Sequence, residues 1–465
     1  MLSQYKMKGF CVAILAVTFL GSCKKEFLEL NSPTAVPASV ALSSEADLQT
    51  ALRGAYAGMR SANYYGRSVP VFGDVLSDNG YISGQNSGRY TYGPNYTWTV
   101  ANSDMANFWA QAYNVILRAN NVINAEVTGG GVDQIKGEAY GIRALTYFEL
   151  VRYFARPYSD NPSGLGVPII TKYDVGFYPT RNTVAEVYQQ ILSDLDKAYT
   201  LATKFTNSSQ FHKYAAQALR AKVYLNMGEL ITSKESALDV INNSGFTLVS
   251  AAGYKAYWDN PQVRTDKVET LFEISSDAVN NAGFDDLANI YHQTGYGDII
   301  ASDDLYALFS ATDVRRTLYS IGTRGGLSSV FVNKYPNPTG DRSDTKVLRL
   351  SEMYLIAAEA SLPANEADAL LYVNAITSRR NATPIASTGT QLFEDIINER
   401  RKELAFEGDR FHDLNRLKRD IARSTNWPAA QRSITYDNFR RVLPIPQSEL
   451  DANPNIKSQQ NLGYL

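Results

Sequence analysis

Ala221-Lys-Val-Tyr-Leu-Asn-Met-Gly228, with Ala237 following on the next periodic stretch, decides the fold. Ala215, Ala218, Ala221 and Leu225 recur at three- and four-residue spacing, so they share one helix face. Small side chains on that face let a second helix approach closely. Gly228 stands where the first helix must stop, because glycine closes a helix in the left-handed conformation without a Cβ penalty. The spacing predicts a helix over His212–Met227, a turn at Gly228 and a second helix over Ser233–Asn243, which is a tetratricopeptide-type pair. Tyr140-Gly-Ile-Arg-Ala-Leu-Thr-Tyr147 and Tyr354-Leu-Ile-Ala-Ala-Glu-Ala360 are related fragments at irregular spacing.

Helical periodicity extends outward from this pair in both directions. Toward the N-terminus it predicts helices over Glu45–Ser61, Ser103–Val127, Asp133–Phe154 and Thr183–Thr203. Toward the C-terminus it predicts Arg349–Ser361, Ala364–Arg379, Gln391–Glu407 and Arg410–Ala422. Ser103 and Asp133 read as N-terminal caps, and Gly228 and Gly245 as residues just past helix ends. Loop-rich blocks fall at Tyr64–Trp98, Arg156–Asn182, Phe246–Ile300 and Ile321–Thr345, with short strands expected at Leu271–Ser275 and Val330–Tyr335. The fold class is therefore mainly α: tetratricopeptide-like helix pairs in a single domain, decorated by long loops and short β-strands.

Composition narrows the chemistry. The 465 residues carry 45 Lys+Arg against 47 Asp+Glu, a net charge of −2, with no basic run of the kind nucleic-acid binding needs. Both cysteines, Cys11 and Cys23, lie at the N-terminus, so the rest of the chain has no disulfide, Cys-ligated zinc or Cys nucleophile. His212, His292 and His412 are scattered and leave little for acid–base or metal work, and His292 reads as a loop or core residue. Nucleophile-elbow, zinc-protease, phosphate-loop and EF-hand signatures are missing, so neither metal nor cofactor is expected. Asp285-Asp286 and Asp303-Asp304 read as solvated or capping residues. The 30 tyrosines, against 19 Phe and 4 Trp, suggest a wet recognition surface.

Lys6 and Lys8 precede the apolar run Phe10–Leu20 and the small residues Gly21-Ser22. This is the layout of a secretory signal, starting at Met1 or Met7, and the run falls short of the ~20 apolar residues a spanning helix needs. Leu20-Gly21-Ser22-Cys23 resembles the bacterial lipobox, whose cysteine is acylated and becomes the new N-terminus. Two or three acyl chains hold a protein firmly on a membrane, where one gives marginal binding. Residues 1–22 are expected to be cleaved, Cys23 to carry lipid, and 23–41 to form a tether in which Pro33 and Pro37 forbid helix.

Several stretches together resemble one family. They are Arg143-Ala-Leu-Thr-Tyr-Phe-Glu-Leu-Val-Arg-Tyr153, Leu348-Arg-Leu-Ser-Glu-Met-Tyr-Leu-Ile-Ala-Ala-Glu-Ala360 and Asn398-Glu-Arg-Arg-Lys-Glu-Leu-Ala-Phe-Glu-Gly-Asp-Arg410. Asp413-Leu-Asn-Arg-Leu417, Leu443-Pro-Ile-Pro-Gln-Ser-Glu449 and Gln460-Asn-Leu-Gly-Tyr464 complete the set, with Leu462 where the family usually has proline. In order and spacing these resemble the SusD/RagB family of outer-membrane nutrient-binding lipoproteins. The resemblance implies a non-enzymatic protein, lipid-anchored at the outer membrane and facing the cell surface. It would bind oligosaccharide and deliver it to a TonB-dependent transporter of the SusC type. A glycoside hydrolase on a helical scaffold, a peptide-binding member of the same family and a scaffold for protein partners are the alternatives. The family-like domain would run over 42–465. Its helical scaffold would cover 42–250 and 346–422, its ligand-bearing loops 64–98 and 246–345, and its extended tail 423–465.

Two residue sets follow. Glu399, Glu403 and Glu407 stack like charges on one helix face, which costs ~0.2–0.5 kcal/mol per pair unless cations arrive. Arg349, Arg401, Arg410 and Arg143 are the candidate partners in a structural network. For the ligand, Ser77–Trp98 combines aromatic faces with polar partners for hydroxyls: Asp78, Asn79, Tyr81, Asn86, Arg89, Tyr90, Tyr92, Tyr96 and Trp98. The resemblance adds loops before the C-terminal helices, where Tyr291 and Tyr296 lie.

Overall fold

Small residues at helix contacts set the architecture of the computed structural model, which describes residues 41–464. The expected signal, Cys23 and the tether up to residue 40 lie outside the described residues. The N-terminal helices are α1 (Glu45–Met59), α2 (Ser68–Val75), α3 (Ser103–Asn124), α4 (Val132–Phe154), α5 (Val184–Leu201), α6 (Lys213–Met227) and α7 (Leu230–Asn243). From α3 to α7 each helix packs on the next. Ala215, Ala218 and Ala221 are fully buried in the α6 contact, and Gly228 closes α6 with φ +85°, as its place in the pair requires. Later helices continue the stack: α11 (Leu350–Ser361) lies against α7, α12 (Glu366–Arg379) and α13 (Gly389–Leu404).

Caps sharpen the helix starts. Ser44 and Asp47 form a reciprocal capping box on α1, and Thr183 and Glu186 form one on α5. Asn102 rather than Ser103 caps α3, and α4 starts after Gly131, one residue ahead of Asp133.

Three short helices, α8 (Tyr254–Asp259), α9 (Leu287–Tyr291) and α10 (Asp303–Ala307), punctuate the loop-rich region. An antiparallel sheet in the order β1-β3-β5-β4 ties that region together, from Gly80–Ile82, Ile299–Ala301, Leu327–Val332 and Tyr319–Arg324 respectively. A second pair joins β2 (Thr270–Ile274) to β6 (Thr345–Arg349). The helix α14 (Arg410–Arg416) stops six residues short of Ala422, because Lys418 turns into the left-handed region and 421–422 pairs with 433–434 as β7 and β8. The tail then runs back over the helices. Leu443 N–H donates to the Tyr153 carbonyl (2.8 Å) and the Asn461 amide to the Phe154 carbonyl (2.9 Å).

The helix α2 falls inside a stretch expected to be loop. Ser68-Val-Pro-Val-Phe-Gly-Asp-Val75 is buried on every side, so it has no polar face and no readable period. At Gly73 a Cβ would come within 1.8 Å of the Gly408 carbonyl oxygen, so two backbones meet there with no room for a side chain. The Asp74 carboxylate reaches across this contact and accepts from Phe406 N–H and Gly408 N–H, both at 3.0 Å.

The stacked glutamates are paired as charges, but mostly by other cations than expected. Glu403 accepts from Arg349 (2.7 Å), from Arg380 (2.8 and 3.0 Å) and from Arg315 (3.1 Å), all fully buried. Glu407 accepts from Arg349 and from Lys334 (2.6 Å each), and Glu399 lies 2.7 Å from Arg315. Of the four expected partners only Arg349 serves here. Arg401 and Arg410 hold Asp78, and Arg143 grips Asp194 with two bonds. Arg315, Arg380 and Lys334 come from segments whose sequence carries no local sign of the contact.

One buried carboxyl is poorly served. Asp344 accepts from Ser276 N–H (2.7 Å) on one oxygen, and the other has no partner among the described residues. Burial and the nearby Glu273 push this carboxyl up to about 8. The folded chain thus holds the proton far more tightly than the unfolded chain, whose aspartate titrates near ~3.9. That stabilisation is full below the unfolded value and is lost as pH rises toward 8. Asp344→Asn keeps the neutral form at every pH. Its stability advantage over the native chain should therefore grow between pH 4 and 8, by at most ~1.4 kcal/mol per unit, and then level off. Urea unfolding at pH 5, 7 and 9 checks this, and a pH-independent difference between the two proteins would contradict it.

Candidate ligand-binding site

The sheet β1-β3-β5-β4 decides which loops meet. Pairing of Gly80–Ile82 with Ile299–Ala301 sets the chain after β1 beside the chain before β3. Ser83 N–H donates to the Asp298 carbonyl (2.8 Å), and the Asp298 carboxylate accepts from the Ser87 N–H (2.8 Å) and the Ser87 hydroxyl. Loop 83–90 is thereby strapped to loop 292–298. The hairpin β4–β5 closes a third side, where Arg324 donates to the Gln85 carbonyl (3.1 Å) and to the Tyr296 carbonyl.

At the meeting point the Arg89 guanidinium lies over the Tyr296 ring, 4.1 Å from its centroid. Arg89 also donates to Ser87 Oγ (2.7 Å) and to the Asp285 carboxylate (2.9 Å). Asp285 takes a second guanidinium, Arg67, at 2.6 Å. Partial burial works against the charge on Arg89, but Asp285 and Tyr296 outweigh it and raise its pKa above the ordinary arginine value. Around this cluster the face is partly apolar: Phe284 is 67% exposed, and Ile321 and Leu327 project from the hairpin. A planar cation stacked on a ring, an exposed carboxylate and adjacent aromatic surface suit a ligand with both apolar C–H faces and hydroxyls.

The residues singled out in the sequence divide. Arg89 and Tyr296 come together, although they are far apart in the chain, and both are half-buried, with part of each side chain left accessible. Tyr81 is half-buried on β1, with its ring 5.8 Å from that of Trp427. Tyr92 is half-buried, and its hydroxyl donates to Asp104 (2.8 Å). Asn86 caps its own loop by accepting from Gly88 N–H (2.6 Å).

The other residues are placed inside the fold. Asp78 is buried in a two-bond grip from Arg410 (2.7 Å each); burial would raise its carboxyl, but Arg401 and Arg410 hold it well below the usual range. Tyr90 is 1% exposed and its hydroxyl accepts from Arg67 Nε (2.8 Å). Tyr96 donates to the Leu76 carbonyl (2.5 Å), and Trp98 donates through Nε1 to the Tyr464 hydroxyl (2.7 Å). Tyr291 is fully buried between the rings of Tyr335 and Phe406, and Asn79 is buried against Asp74 and Arg401. Tyr90 and Tyr96 moreover adopt φ of 57° and 53°, a strain that surrounding packing sustains. In this arrangement these side chains brace the loops and present no face to a ligand.

Missed in the sequence were Phe284, Arg67 and Arg324, together with the role of Asp285 beyond that of a solvated acid. Asp286 does cap α9, accepting from Asn289 N–H (2.9 Å), and Asp304 pairs with Arg401. Among the described residues no cluster of His, Cys, Asp or Glu has the geometry to hold a metal ion, and no helix is long and apolar enough to cross a membrane.

The chain is similar to known proteins over most of its length. Residues 26–225 match a family model described as starch-binding and associating with the outer membrane, and residues 310–464 match the SusD family model. A SusD-like protein, P2, of Formosa agariphila is 30% identical over 480 residues, covering 90% of this chain and 92% of that one. The starch-binding protein SusD of Bacteroides thetaiotaomicron is 28% identical over a shorter stretch, 35% of this chain and 31% of that one. Among solved structures, a putative sugar binding protein from Bacteroides vulgatus superposes with a TM-score of 0.82 at 30% identity, covering 91% of this chain and all of that one.

Proposed function

Because the chain belongs to the SusD/RagB family, we propose that it captures glycans at the outer membrane and delivers them to a TonB-dependent transporter of the SusC type, catalysing no reaction itself. The single observation that carries the binding role is the Arg89–Tyr296–Asp285 cluster on the loop face, on a fold shared with proteins described as binding sugar and starch. The apolar surface of Phe284 beside it supplies a place for sugar C–H groups. A hydrolase would need a carboxyl pair spaced about a glycosidic bond. On this face Asp285 is engaged by two guanidiniums and Asp298 by Ser87, which favours recognition over bond cleavage.

Attachment to the membrane rests on Cys23 at the end of Leu20-Gly21-Ser22. The Cys23→Ser protein should fail to incorporate labelled palmitate and should leave the membrane fraction. Extraction of the native protein in mild detergent should recover a complex with a plugged β-barrel. Palmitate labelling that survives the substitution removes the anchor, and recovery of the monomer alone in several detergents removes the transporter partnership.

A further inference from the structure

A cleft of about 530 Å³ opens beside the C-terminal half of α1, and its lining shares no residue with the Arg89 cluster. Arg53, Tyr56 and Arg60 line it from the helix, Gln210 from the loop before α6, and Asn280 from the loop after β2. Its two arginines differ from Arg315, Arg349 and Arg380 inside the fold, which are bound to carboxylates on several sides. Arg60 donates from Nε to the Ser275 carbonyl (2.5 Å) and makes no ion pair among the described residues. Arg53 is exposed and has no polar side-chain partner among the described residues.

Acidic groups do stand near. Asp277 and Asp344 act on Arg60 from outside hydrogen-bond range, and burial still leaves this guanidinium lower than usual. Asp277 is occupied by the N–H groups of Val279 and Asn280, and Asp344 is the carboxyl held largely neutral by burial. Glu273 also lines the cleft, but it is buried, accepts from the Ser208 hydroxyl and lies 3.5 Å from the Lys346 ammonium, which matches its charge from behind. Arg53 and Arg60 are thus left without an ion pair among the described residues, beside Gln210, which can donate to and accept from a hydroxyl, and Asn280, whose Nδ2 donates to Asp277 (3.1 Å) and whose oxygen can accept. Its volume lies in the range of small-molecule sites.

We infer that this cleft is a second ligand site, for a carboxylate-bearing sugar such as a uronic acid residue, with Arg53 and Arg60 on the carboxylate and Gln210 and Asn280 on ring hydroxyls. A guanidinium presents a planar pair of donors to a carboxylate, which a neutral hexose cannot satisfy in the same way. The inference rests on the proposed glycan-binding role only in taking the ligand to be a sugar, and its site is separate.

The test uses sodium D-galacturonate and D-galactose, which differ at a single carbon, titrated against the protein by nuclear magnetic resonance. Galacturonate should bind the native protein at least ~10-fold more tightly than galactose, the step expected when a hydrogen bond to a charged group is gained. Arg60→Gln and Arg53→Gln should each reduce that preference, and the double substitution should abolish it. Arg53 is exposed, so its variant keeps the fold even if Arg60→Gln perturbs it. Equal binding of the two sugars, binding of neither, or a preference that survives both substitutions overturns the inference. The loop face is judged apart, by neutral oligosaccharide binding, which the Arg53 and Arg60 variants should retain.

Discussion

Glu403→Ala is expected to cost the fold about 3–5 kcal/mol, because it strips a fully buried carboxylate from three buried guanidiniums. Arg315, Arg349 and Arg380 all converge on Glu403, and each is at most 1% exposed. Burial alone would raise the Glu403 carboxyl, but Arg380 and Arg349, with Arg315 behind them, hold it well below the usual glutamate range. A depressed folded value means that its contribution is present above the unfolded pKa and is lost only as pH falls through the folded one. The loss on substitution should therefore be constant from pH 5 to 8 and shrink in strong acid. Glu394 gives the contrast: its pair with Arg419 is about a third exposed, and Glu394→Ala should cost no more than ~0–1 kcal/mol. Chemical unfolding followed by tryptophan fluorescence measures both. If the Glu403 variant is too unstable to purify, Glu403→Gln, which keeps the shape and removes the charge, gives the same ordering at smaller size. Equal losses at Glu403 and Glu394 would mean that the network does not organise the fold.

What the sequence discloses of this fold follows physical range. All ten helices read from the sequence are present; most carry an amphipathic stripe, a local pattern that burial of one face imposes, while Val132–Phe154 and Leu350–Ser361, buried nearly all round, are legible from their unbroken length. Legibility fails where a segment buried all round is also short, as in the eight residues Ser68–Val75, or where partners are distant, as in the pairing of Gly80–Ile82 with Ile299–Ala301. The ion network shows the same limit. The spacing of Glu399, Glu403 and Glu407 announces that cations must come, but nothing near them announces Arg315 or Arg380. At the proposed ligand face, loop composition singled out Arg89 and the family resemblance singled out Tyr296, two residues that the structure brings together. Composition could not separate an exposed ring from a bracing one, because tyrosine serves both uses with the same hydroxyl. Tyr90, Tyr96, Trp98 and Tyr291 are braces in this structure, a distinction that only their burial reveals.

That distinction fixes which substitutions should silence the loop face without harming the scaffold. Tyr90 is buried and bonded to Arg67, so Tyr90→Ala would open a cavity and confound any binding measurement. Arg89 and Tyr296 are partly accessible, and their mutual stacking holds each in the orientation a ligand would meet. Arg89→Ala removes the donor fork and frees Tyr296; Tyr296→Ala removes the platform under the guanidinium. Together they should weaken oligosaccharide binding by about 2–4 kcal/mol, the range of an interface's dominant residues. Asp285 keeps its bond to Arg67 in the double variant, so the loop stays tied and the melting temperature should move little. Arg324→Ala separates positioning from contact: it loosens the strap on the Tyr296 carbonyl while leaving the stacked pair intact, and should cost less affinity than either partner. Isothermal titration with a panel of neutral oligosaccharides decides it. Native affinity in the Arg89/Tyr296 double variant would move the site off this face, while a matching collapse of thermal stability would mean that the pair is a brace like its neighbours.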